Sequence, residues 1–90
     1  MATRLIIYGR VQGVWYRGWA VSEASALGLR GWVRNRADGT VEALLIGEHH
    51  REAAMVERAR EGPPGAAVTG IDIVHADDDG STDFHQRASA

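Results

Sequence analysis

Gly9-Arg10-Val11-Gln12-Gly13-Val14-Trp15-Tyr16-Arg17 is the stretch where an apolar strand gives out into a glycine-bearing turn and a helix begins. Two glycines four residues apart allow positive φ and close backbone approach, so consecutive N–H groups can point at one oxyanion. The helix start adds the positive end of its dipole. Arg17 stands at that start with five fixed donors in a fork that matches phosphate, and it keeps its charge at any working pH. The reading is an anion cradle with phosphate as guest. A nucleotide P-loop is excluded, because Gly13 is followed by Val14 and Trp15 in a chain without lysine. A dinucleotide fingerprint fails on the spacing of Gly9, Gly13 and Gly18. From these residues alone, a plain glycine turn followed by a surface arginine remains equally compatible.

Working outward, residues 4–11 alternate as a strand, with Leu5, Ile7, Gly9 and Val11 expected on the core face and Ile6, Tyr8 and Arg10 opposite. Residues 17–27 read as a helix with Ala20, Ala24 and Leu27 inward and Gly28 as its C-terminal cap. Residues 29–36 alternate again, which places Asn35 on the same face as Val33, near the strand's end. A polar side chain there needs a reason. Trp32 and Arg34 share the other face, where cation–π packing is a better account than a base-stacking platform.

Ala37-Asp38-Gly39 reads as a hairpin loop into a strand over residues 40–46, broken by Gly47. Residues 49–61 form a charged helix with a narrow stripe of Met55, Val56 and Ala59, closed by Gly62-Pro63-Pro64 and expected beside the first helix. A strand over 68–75, an acidic turn over 76–81 and a short strand over 82–87 anchored by Phe84 complete the chain. The order β-α-β-β-α-β plus a short strand predicts an α+β fold. It is the ferredoxin-like split βαβ sandwich, with two helices on one face of an antiparallel sheet. That architecture serves many activities, so the site must decide function.

A formal charge of −2, from ten arginines against twelve carboxylates in 90 residues, argues against a broad nucleic-acid face. The chain is expected to be one domain over residues 1–90. Without cysteine there is neither a disulfide nor a thiolate nucleophile. No stretch resembles a secretory leader or is long enough to cross a bilayer, which predicts a cytoplasmic protein with no membrane partner. His49-His50 lacks a third ligand, and Asp77-Asp78-Asp79-Gly80 lacks the closing glutamate of a calcium loop, so no metal site is expected.

Gly9 to Arg17 closely resembles a signature of the acylphosphatase family, which usually reads GRVQGV, a variable residue, then Phe-Arg. Gly31-Trp32-Val33-Arg34-Asn35 with Asp38-Gly39-Thr40-Val41-Glu42 is similar to that family's second signature. Ala24, Leu27-Gly28-Leu29 and Gly62-Pro63-Pro64 also fall where such chains carry them. The resemblance implies hydrolysis of the carboxyl-phosphate bond of small acyl phosphates, without metal or cofactor. Phosphoryl transfer asks mainly for positioning and charge stabilisation, and a carboxylate leaves without a general acid. By the same resemblance Arg17 and the backbone N–H groups of Gln12, Gly13, Val14, Trp15, Tyr16 and Arg17 hold the phosphoryl group, and Asn35 orients the attacking water. Inorganic phosphate is then product and inhibitor, and a monomer is expected. The sequence departs from the family at Trp15 and Tyr16 and at Gln86, where an apolar residue is usual. The alternative from another class is a non-catalytic phosphate- or RNA-binding module of the same fold.

Overall fold

The computed structural model describes residues 2–90, arranged as β1 (Ala2–Arg10), α1 (Tyr16–Ala26), β2 (Arg30–Asn35), β3 (Val41–Ile46), α2 (His49–Glu61), β4 (Ala67–Ala76) and β5 (Phe84–Gln86). The strands form one sheet in the order β4-β1-β3-β2-β5. The first four pair antiparallel, whereas β5 runs parallel to β2, with Gly31 opposite Phe84 and Val33 opposite Gln86. The expected antiparallel sheet is present in its first four strands, and the short additional C-terminal strand joins it in parallel, which makes the whole sheet mixed. Both helices cover one face, as the two-layer logic of an amphipathic sheet requires.

Between the helices and the sheet lie Leu5, Ile7, Val11, Tyr16, Ala20, Ala24, Val33, Val41, Leu45, Met55, Ala59 and Phe84, all buried. The period-2 pattern of β1 and the i, i+4 stripe of α1 thus meet as the sequence implies. Gly9 is the exception. Pairing with β4 slips between Tyr8 and Gly9, and Gly9 is exposed at φ 118° rather than part of the core. A Cβ there would stand 2.2 Å from the Ala67 carbonyl oxygen, so the residue is glycine because two backbones touch at a bulge. The bulge interrupts the alternation, and Val11 returns to the core beyond it.

The helix-free face is not bare. Ala2, Trp32, Leu44 and Ile46 form a second small buried cluster, and Ile6 on the same side is 6% exposed. Trp32 is roofed by the guanidinium groups of Arg34 and Arg87, 5.0 and 4.8 Å from its ring centre, and its Nε1 donates to Asp79. Glu42 accepts from Arg4 at 2.5 Å and from Arg34 at 2.7 Å. Although burial opposes its charge, these paired donors hold the Glu42 carboxyl below its ordinary range.

Helix α1 ends with Gly28 at φ 71°, whose N–H bonds to Ser25 while Leu29 N–H reaches back to Ala24. Helix α2 starts where its sequence indicated, but its inward stripe also contains Glu52, buried among Met55, Val56 and Ala59. Its carboxylate accepts from the Thr3 hydroxyl and, at 3.3 Å, from Gly47 N–H, which is how a charge lies in an apolar stripe.

Candidate active site

The turn that leaves β1 contains two left-handed residues, Gly13 at φ 76° and Trp15 at φ 64°. Trp15 is the N-cap of α1 and its side chain caps nothing; the first helical turn carries no acidic residue. The first α-helical bond of this start is Trp19 N–H to Trp15 O, so the N–H groups just before Trp19 have no partner from that ladder. A helix start left open in this way has donors free to meet an anion.

Arg17 joins it on the first turn. Among the described residues it enters no ion pair with a carboxylate, although nine such pairs or His–carboxylate contacts form elsewhere. A half-buried arginine beside an uncapped helix start concentrates positive potential where an anion would relieve it. Asn35 reaches the same place from β2. A cleft of about 120 Å³ is lined by Val11, Gly13, Trp15, Tyr16, Arg17, Gly18, Asn35 and Gln86. Residues from the turn, the helix start and two strands thus meet in one concavity.

Of the sequence-derived site residues, Gly13, Trp15, Tyr16, Arg17 and Asn35 line this cleft, while Gln12 and Val14 do not. Val14 packs on the core. Gln12 turns its carboxamide to the β2–β3 loop and donates from Nε2 to Arg36 O at 2.8 Å and Thr40 O at 2.9 Å. That loop is itself held by Asp38, which accepts from Thr40 N–H at 3.0 Å and from the Thr40 hydroxyl at 2.6 Å. The Thr40 hydroxyl and then its N–H keep the Asp38 carboxyl below its usual value. The staple ties the turn to the end of the strand that carries Asn35.

Tyr16 fixes the other side. It is buried, meets Trp19 edge to face at 5.2 Å, and its hydroxyl donates to Ala59 O at 2.7 Å, which joins the start of α1 to α2. Burial pushes its phenol far above the ordinary value, so it stays neutral. Asn35 is held through its backbone: its carbonyl accepts the Ala90 N–H at 3.0 Å, and Ala37 N–H donates to Ala90 O at 2.7 Å.

Three contributions escaped the sequence reading: the Gln12 side-chain staple, the Tyr16 hydroxyl bond and the entry of Gln86 into the cleft. Only the last had a signal, a polar residue where an apolar one is usual. A larger groove of about 330 Å³ lies between β4 and the start of α2, lined by Thr3, His49, Glu52 and His75 among others. Among the described residues no three His, Cys, Asp or Glu side chains gather in a metal-holding group. No helix there is long and apolar enough to cross a membrane.

Comparison with known proteins places the chain in a family. The acylphosphatase family model matches residues 3–86. An acylphosphatase of Albidiferax ferrireducens is 58% identical over 84% of this chain and 83% of its own length. One of Rhodospirillum rubrum is 50% identical over 99% of both. The crystal structure of acylphosphatase from Bacillus subtilis superposes with a TM-score of 0.91 at 37% identity, covering 96% of this chain and 97% of that one. The chain belongs to the acylphosphatase family.

Proposed function

We propose that this enzyme holds the phosphoryl group of an acyl phosphate in the cleft between β1 and α1, with Arg17 and Asn35 as its working side chains. Membership of the family makes it a hydrolase of acyl phosphates. The observation that carries it is the convergence of an uncapped helix start, an arginine without a carboxylate partner and a strand-end asparagine in one cleft. The N–H groups of residues 12–17 and the Arg17 fork take the non-bridging phosphoryl oxygens. Asn35 accepts a hydrogen bond from a water and holds it in line with the scissile bond.

Water oxygen then forms a bond to phosphorus as the phosphorus–oxygen bond to the acyl group breaks. The electron pair leaves on the carboxylate, and the water's proton passes to a phosphoryl oxygen, giving carboxylate and inorganic phosphate. No general acid is needed, because a carboxylate is already a stable leaving group. The positive charge opposite the phosphoryl group comes from Arg17 and the helix start, which supports turnover without a metal. The substrate is a small molecule, and phosphate, as product, competes for the cradle.

The test is release of inorganic phosphate from benzoyl phosphate against a protein-free control, with a melting curve at rising phosphate. Turnover with a rise in melting temperature is expected, since an anion that binds only the folded chain stabilises it. Binding without turnover would turn the cradle into a non-catalytic phosphate module. An unmoved melting curve at saturating phosphate would remove the cradle altogether.

A further inference from the structure

The cleft, about 120 Å³, is a small concavity that opens to solvent, so the acyl group of a substrate whose phosphoryl group is held there extends across the rim. Two exposed side chains lie there. Trp15 is 69% exposed, and it is the one non-glycine residue among those described with positive φ. Strain kept in a left-handed aromatic residue at a cleft is a mark of use.

The indole is seated, not adrift. A Cβ built on Gly18 would stand 2.2 Å from Trp15 Nε1 and 2.6 Å from Cε2, so the ring lies against the bare α-carbon of Gly18. Any other residue at position 18 would push it away. Gln86, the other exposed side chain, is on β5 opposite Val33. It shares the helix-side face of its strand with buried Phe84, and it offers a carboxamide where an apolar residue would extend the core. The Trp15 ring is therefore the apolar surface that an emerging acyl group meets.

We propose that Trp15, seated on Gly18, is a specificity residue that favours acyl phosphates with a flat, conjugated acyl group over those with a small aliphatic one. The proposal rests on the hydrolytic reading above, and its test is arranged so that the two can fail separately. A flat acyl group lies against the indole in offset or edge contact, while an acetyl group is too small to cover it. The phosphoryl oxygens stay with the backbone N–H groups and Arg17, so discrimination resides in the acyl group alone.

Two variants act on the ring by different routes. Trp15→Asn removes it with a residue that tolerates left-handed backbone. Gly18→Ala keeps it but occupies its seat, in a helix that gains propensity from the change. For each, kcat/KM is measured on benzoyl phosphate and acetyl phosphate, and Ki on the non-hydrolysable benzoylphosphonate and acetylphosphonate. The parent is expected to favour the benzoyl member of each pair by about tenfold, the size of one aromatic contact. Both variants should bring the ratios close to one. Ratios unchanged in both variants, or equal losses on benzoyl and acetyl members, would overturn the proposal. If the phosphonate ratios shift as expected while neither substrate turns over, the subsite stands and the hydrolytic reading falls.

Discussion

Replacing Gln12 with leucine removes a staple while leaving every group assigned to chemistry in place. The carboxamide donates two hydrogen bonds, to Arg36 O at 2.8 Å and Thr40 O at 2.9 Å. Neither carbonyl is orphaned by the change, because Arg36 O still accepts Gly39 N–H and Thr40 O still accepts Arg36 N–H. The cost is therefore the net worth of two neutral bonds, about 1 kcal/mol each and about 2 kcal/mol together, without an added penalty for unpaired groups. At about 4–8 °C per kcal/mol for a domain of this size, the melting temperature should fall by about 8–16 °C. Well below that temperature, kcat should fall roughly tenfold, since the turn and the strand end bearing Asn35 lose their registration. The Ki for phosphate, set by the helix start and Arg17, should move much less. Calorimetric melts, initial rates on benzoyl phosphate and phosphate inhibition measure the three quantities. An unchanged melting temperature would refute the staple's energetic role; a lower one with kcat intact would refute its link to Asn35.

Arg17→Gln should abolish turnover and competitive inhibition by phosphate while the melting curve without ligand stays close to the parent's; retained inhibition would contradict the assigned grip. Arg17→Lys should restore little, because one ammonium cannot reproduce a planar two-point contact, and parental rates would show that charge alone suffices. Asn35→Ala should lower kcat about a hundredfold with phosphate Ki unmoved, the mark of a group that acts on the water; parallel losses in both would make it a phosphate ligand. Dialysis against EDTA should leave the rate unchanged, and loss restored by a divalent ion would require a metal in the mechanism. Glu42, held below its ordinary value of 4.5 by Arg4 and Arg34, contributes stability that is present above that value. This contribution is lost as the pH falls through the lower folded-state value. Urea midpoints measured between about pH 5 and 3 should thus decline less steeply in Glu42→Gln than in the parent, and identical slopes would sink the assignment.

The elements were legible because their periods are strong. Leu5, Ile7 and Val33 alternate, Ala20 and Ala24 recur on a helical turn, and Gly28 ends α1 where only positive φ permits the reversal. Arg17 and Asn35 could be named because both stand in short signatures whose spacing carries over whole. The misplacement of Gly9 follows from a bulge, which shifts register without leaving a trace in hydrophobicity. The direction of β5 was equally hidden, since three residues carry no polarity of their own and the pairing partner decides. Glu52 looked like a surface charge because its partners, the Thr3 hydroxyl and Gly47 N–H, come from far along the chain and from backbone. Gln12 was read for its N–H, and nothing local could show that its amide would be spent on two carbonyls across the hairpin.

The strand order β4-β1-β3-β2-β5 has a kinetic side. Only β2 and β3 are neighbours both in sequence and in the sheet; β1 waits for β3, more than thirty residues on, and then for β4, with Ala2 opposite Ala76. β5 closes against β2 across an intermediate span, Gly31 meeting Phe84. Each closure costs loop entropy before its contacts form, so this topology folds slowly for its size. The cleft draws on the first turn, the end of β2 and the last strand, and is complete only when β5 has met β2, Phe84 opposite Gly31. Recovery of phosphate binding during refolding therefore reports that closure, and should lag behind the helical signal that α1 and α2 produce early.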